Sequence, residues 1–176
     1  MTARRDASLR RKEYTAMSSK FVYVTYIRTT PEKLWQALTK PEFARQYWFG
    51  VALESTWKKG APWQMVFEDG TVSDDGEIVE SKPPTRLVLK WHHRLFPEME
   101  SEGWSRCTFD ITVEKGIARL SVVHEIDRDN SRMIEGVSGG WPQILSSLKS
   151  FLESGEPLAL ERWRRSPKAR TSRKVA

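Results

Sequence analysis

An imidazole is the side chain whose ordinary pKa sits nearest physiological pH, so the histidines are the first residues to weigh for chemistry. His124 lies in the run Leu120-Ser121-Val122-Val123-His124-Glu125. Strand alternation places it with Leu120 and Val122 on an apolar face, as an acid, a base or a polar anchor, or as a hydrogen-bonded core histidine. Glu125 points to the other face, which excludes a His124/Glu125 dyad. His92 and His93 straddle the two faces of their strand and cannot converge on one metal, so both read as structural or surface residues. Asp69, Asp74, Asp75 and Glu77 fall where turns are expected, and there carboxylates bond the local backbone. Ser138, Ser146 and Ser147 have no nucleophile-elbow context, and no Gly-rich phosphate loop follows a strand. No catalytic residue and no metal-ligand set is therefore assigned.

The remaining constellation is aromatic: Tyr47, Trp48, Trp63, Trp91, Trp104 and Trp141, in a chain with eight tryptophans. Such rings fill a thick core or line an apolar cavity. The elements that must position them are legible. Phe21 to Ile27 is dense in β-branched and aromatic residues and reads as a strand. Thr30 and Pro31 open one short helix, Pro41 opens a second, and Gly50 ends it. From Val51 to about Asp127, turn signals at Lys59-Gly60, Asp69-Gly70, Asp74-Asp75-Gly76, Pro83-Pro84 and Lys115-Gly116 divide the chain into six strands. Period two gives one face to Trp63, Met65 and Phe67, to Leu87, Leu89 and Trp91, to Cys107, Phe109, Ile111 and Val113, and to Leu120, Val122, His124 and Ile126. Trp141, Leu145, Leu148 and Leu152 then recur at helical spacing. Because Pro142 is tolerated only in a first turn, the helix is expected from near Trp141 to near Glu153, with the Gly-rich residues 128 to 140 as a looser lead-in.

The 176 residues fit one domain able to bury its own core. The net charge of +6 suggests nucleic acid, but twelve of the 29 Lys and Arg lie in residues 1–19 and 158–176, with only three acids. Residues 20–157 are slightly acidic, which argues against a specific nucleic-acid face. The expected organisation is a basic, disordered tail over 1–19, a domain over 20–157 and a second basic, disordered tail over 158–176. Cys107 is the only cysteine, so no intramolecular disulfide forms, and there is neither a membrane-spanning run nor a secretory signal. A cytoplasmic protein is expected.

Four blocks carry a family resemblance. They are Ile27-Arg28-Thr29-Thr30-Pro31-Glu32-Lys33-Leu34-Trp35 with Leu38-Thr39-Lys40-Pro41-Glu42; Gly76-Glu77-Ile78-Val79-Glu80 leading to Pro83-Pro84-Thr85-Arg86-Leu87-Val88-Leu89-Lys90-Trp91; Leu120 to Glu125; and Gly140 to Lys149. Together they closely resemble the domains related to the activator of the heat-shock-protein-ninety ATPase, within the START-related superfamily, also called birch-pollen-allergen or polyketide-cyclase-like. The resemblance implies an α+β helix-grip fold. In it a curved antiparallel sheet of about seven strands wraps a long C-terminal helix, with two short helices between strands one and two.

It also implies a partly apolar cavity between sheet and helix, with Tyr47 and Trp48 near its mouth. The expected lining is Tyr47, Trp48, Trp63, Phe67, Trp91, His124, Trp141 and Leu145, with no cofactor. Members of this superfamily include ligand carriers, cyclases and stress-linked proteins, so fold alone does not select a function. The expectation is binding of a small apolar or aromatic molecule. The alternatives are a protein-interaction module modulating a chaperone ATPase, with the chaperone or another protein as partner, and a cyclase- or hydrolase-type enzyme using His124 in the same cavity.

Overall fold

The computed structural model describes residues 18–159, so the expected basic tails fall almost wholly outside the described residues. Strand β1 (Ser19–Ile27) leads into helices α1 (Pro31–Thr39) and α2 (Pro41–Tyr47). Six strands follow: β2 (Ala52–Ser55), β3 (Pro62–Val66), β4 (Val72–Lys82), β5 (Arg86–His93), β6 (Ser105–Glu114) and β7 (Ile117–Ile126). A short helix α3 (Pro97–Glu100) interrupts the β5–β6 connection, and helix α4 (Arg132–Ser154) closes the domain.

All seven strands form one antiparallel sheet in the order β1-β7-β6-β5-β4-β3-β2. Every step except the return of β1 to β7 is a hairpin between chain neighbours, which is what turn-punctuated strands produce. Strand β7 alternates buried and half-buried residues along its whole length, so one face packs and the other meets water. Register shifts at Met65/Val66 and at Ile78/Glu80 bend the β3–β4–β5 side of the sheet. The inner face, the buried side of α4 and the α1–α2 pair enclose the core, with Leu34, Leu38, Ile78, Leu89, Leu120 and Leu148 all buried.

Two boundaries differ from those the sequence suggests. Asp74-Asp75-Gly76 is no turn: it lies inside the eleven-residue strand β4, paired to β3 on one side and β5 on the other. The β3–β4 turn is Asp69-Gly70, where Asp69 Oδ1 accepts the Thr71 N–H at 2.9 Å. Gly76 is required for packing, because a Cβ there would sit 1.8 Å from the Lys90 carbonyl oxygen and 2.8 Å from Trp63 Nε1. That space lets the Trp63 indole N–H reach the same Lys90 carbonyl at 3.0 Å.

Helix α4 begins about two turns earlier than expected and holds Pro142 in its interior. A cap supplied from elsewhere in the fold explains the difference. Ser131 Oγ accepts the Ile134 N–H at 3.1 Å, while the Glu102 carboxylate accepts the Arg132 and Met133 N–H groups at 2.8 and 3.1 Å and the Ser131 hydroxyl at 2.6 Å. Buried Met133 and Ile134 then anchor the first turn. These interactions offset glycines that cost roughly 1 kcal/mol each in a helix.

Candidate functional site: a cavity under the long helix

A cavity of about 780 Å³ opens between the β3–β4–β5 side of the sheet and the first half of α4. Its floor is Met65, Ser73, Asp74 and Trp91; its roof is Met133, Gly136, Gly140, Trp141 and Ile144. Trp48, Phe49 and Val51, from the end of α2 and the segment after it, form one side. Phe67 and the stretch Leu95, Phe96 and Met99 form the half-exposed rim. The roof is thin because Gly136 and Gly140 occupy the same helical face four residues apart. A Cβ at Gly140 would find nothing closer than Ile144 Cδ1 at 4.0 Å, and one at Gly136 would meet only the flexible end of Met99.

Three indoles make the inner wall. Trp48 packs on Trp141 with ring centroids 5.2 Å apart, and Trp91 lies 6.0 Å from Trp141, both edge to face. Their polar atoms are fixed. Trp91 Nε1 donates to Asp74 Oδ1 at 2.8 Å, and Trp141 Nε1 donates to His124 Nδ1 at 3.3 Å. Since an indole N–H only donates, His124 Nδ1 must be the acceptor and its proton sits on Nε2. Nε2 then donates to Ser105 Oγ at 2.8 Å, and the Ser105 hydroxyl passes its proton bond to the Trp91 carbonyl at 3.3 Å. Burial lowers the His124 pKa to about 4, against an opposing pull from the Asp74 charge.

His93 Nδ1 also contacts Asp74 Oδ1 at 2.8 Å, and the His93 ring stacks on Phe96 at 5.3 Å. Asp74 and His93 both line the cavity.

Of the residues expected at the cavity, the structure brings together Trp48, Phe67, Trp91 and Trp141. It places four others elsewhere. Tyr47 is buried, with its hydroxyl donating to the Ala37 carbonyl at 3.0 Å; burial pushes that hydroxyl's pKa well up. Trp63 lies under Trp91, its ring 4.6 Å away, and Leu145 is buried in the packed core. His124 has no exposed surface and sits behind Trp91 and Trp141 with both ring nitrogens engaged, so it is a core residue that orients a wall indole. Trp104 is 47% exposed, beneath the Lys90 ammonium.

Sequence reasoning missed Asp74 and His93. Asp74 was hidden by its Asp-Asp-Gly context. The signal for His93 was available, since strand parity groups it with inward Trp91. Among the described residues, no group of three or more His, Cys, Asp and Glu could hold a metal ion.

The sequence profile of the family described as Activator of Hsp90 ATPase homolog 1-like protein matches residues 28–153. No curated protein matches the chain. Solved structures share its fold. Protein MLL2253 from Mesorhizobium loti is 25% identical with a TM-score of 0.65, over 76% of this chain and 96% of that one. PFC0360w, an HSP90 activator from Plasmodium falciparum, is 23% identical with a TM-score of 0.59, over 77% and 96%. DynU16, a protein of the dynemicin biosynthetic locus, is 20% identical with a TM-score of 0.65, over 78% of this chain and 48% of its own.

Proposed function

We propose, from the premise that this chain belongs to the Activator of Hsp90 ATPase homolog 1-like family, that it binds a small apolar or aromatic molecule in the cavity beneath α4. The observation that carries the reading is the cavity itself: about 780 Å³ walled by Trp48, Trp91 and Trp141 beside the packed core. Protein interiors close such spaces because each lost contact destabilises. Here Gly136 and Gly140 keep the space open at a cost to the helix. A ligand burying roughly 300 Å² of apolar surface gains about 7 kcal/mol before ordering costs, enough for micromolar binding where those costs are modest.

Titration with pyrene, followed by its fluorescence, tests this. The wild-type chain binds, and Gly140→Leu, which puts a side chain into the cavity, weakens binding more than tenfold. Absence of binding, or equal binding by the variant, would remove the reading.

A protein partner, such as a chaperone whose ATPase is modulated, is the second reading. It is favoured by Val22, Val24 and Tyr26, which lie exposed along edge strand β1. Stimulation of a chaperone ATPase that persists in Gly140→Leu and vanishes in Val24→Lys would support it.

A further inference from the structure

We propose that Asp74 and His93 form the polar recognition corner of this cavity, and that they select an aromatic ligand carrying a hydrogen-bond donor, typically a hydroxyl, while rejecting carboxylates. The proposal rests on the small-molecule reading above and names the ligand class.

The Asp74 side chain is only 9% exposed and that of His93 only 11%. A carboxylate so enclosed is costly unless its oxygens are engaged. Both hydrogen bonds it receives, from Trp91 Nε1 and His93 Nδ1, fall on Oδ1. Oδ2 receives none from the described residues. His93 contacts that carboxylate through Nδ1, and its own Nε2 is buried and lacks a partner among the described residues. Asp74 Oδ2 thus stands as an unfilled acceptor at the cavity wall, on a carboxylate held through Oδ1 by the Trp91 indole N–H and by His93, whose ring is backed by Phe96. What completes Oδ2 is a donor from the ligand.

Charge sharpens the selection. Among the described residues, the ionisable groups lining the cavity are Glu68, Asp69, Asp74 and His93, with no Lys or Arg. The nearest arginine in sequence, Arg94, is committed to Asp75 at 2.8 Å and to Glu100 at 3.7 Å. A ligand carboxylate at this corner would face Asp74 with no Lys or Arg among the described lining residues to stabilise it. A hydroxyl would instead gain a charge-assisted hydrogen bond.

Three isostructural probes separate the ideas: pyrene, 1-hydroxypyrene and 1-pyrenecarboxylate, each titrated by fluorescence into the full chain at neutral pH. Hydrophobic transfer alone ranks pyrene at or above its hydroxyl derivative. The corner reverses that order, with 1-hydroxypyrene bound about tenfold tighter than pyrene and at least tenfold tighter than the carboxylate. His93→Phe keeps the ring shape and its stacking but removes the contact that holds Asp74, and the preference for 1-hydroxypyrene over pyrene shrinks to about threefold or less. Asp74→Asn keeps an acceptor for Trp91 but removes the charge, and it raises 1-pyrenecarboxylate affinity several-fold.

Pyrene binding in each variant reports an intact cavity, and the wild-type ranking decides even where a variant fails to fold. If pyrene binds and the three probes rank by hydrophobicity, the recognition corner is overturned and the cavity reading stands. If no probe binds, both fall. A hydroxyl preference unchanged in both variants also overturns the corner.

Discussion

His124 shows how a residue suited to chemistry can be used for packing. Its ring is enclosed, its Nδ1 takes the Trp141 indole proton and its Nε2 proton goes to Ser105. The folded state therefore holds it neutral, with a pKa of about 4 against an ordinary 6.5. A lowered folded-state value means that the unfolded chain takes up a proton the native state refuses, so stability falls as pH drops from about 6.5 to about 4. The full difference is about 3 kcal/mol for this group. His124→Gln, which cannot titrate, should lower stability at pH 7 and flatten its pH dependence across that window, as read by urea unfolding at several pH values. Trp141→Phe keeps the wall but strands Nδ1, and should cost about 1–3 kcal/mol in the same assay. Strand parity made the burial of His124 legible. Its partners were not, because Ser105 and Trp141 come from other elements and no local pattern pairs them.

At the scale of elements, α4 reconciles two tasks, gripping the sheet and roofing a cavity. Its second half carries Leu145 and Leu148, which are buried in the solid core, so Leu148→Ala should cost about 2–5 kcal/mol. Its first half carries the glycines, and Gly140→Ala should raise stability by about 0.5–1 kcal/mol, since the added methyl meets no close neighbour. What holds that first half in helical form is Glu102, whose side chain is 5% exposed and spans three donors at the N-terminus. Burial alone would raise its pKa, but the hydrogen bonds from Ser131, Met133 and Arg132 and the charge of Arg128 bring it below the usual glutamate range. Glu102→Ala should cost about 1–2 kcal/mol and weaken pyrene binding by fraying the roof, and hydrogen exchange of residues 132–140 would register the fraying. The periodic residues from Trp141 onward revealed the second half of the helix. The first half was obscured because its cap lies about 30 positions upstream, in a connection that sequence reading treats as loop. The same competition explains Asp74, where turn-favouring composition lost to ladder pairing with both β3 and β5.

Across the whole molecule, the order of elements and the inward face of the sheet were legible, because hairpin punctuation and period two act locally. Val113 marks the edge of that rule: it keeps the right parity yet is 55% exposed, near the end of β6 where the covering layer runs out. The cavity was not legible from spacing, since it arises where bulged strands bend away from a glycine-faced helix turn, and each of those parts is ordinary alone. A fold that maintains such a space should respond as a whole when the space is filled. Ligand bound only by the native state adds RT ln(1 + [L]/Kd) to stability, about 2.7 kcal/mol at one hundred times Kd. For a domain of this size that is a rise of roughly 5–15 °C in Tm, with an unchanged urea m-value because the surface exposed on unfolding hardly alters. Saturating 1-hydroxypyrene should therefore shift the entire cooperative transition of the wild-type chain and leave that of Gly140→Leu in place. A partner acting only through the exposed face of β1 predicts the opposite pattern, in which Val24→Lys abolishes the partner's effect and both chains respond to it equally. Comparing the two variants under the two additions assigns the function to the cavity or to the outer face, because the residues that decide the outcome lie on different sides of the sheet.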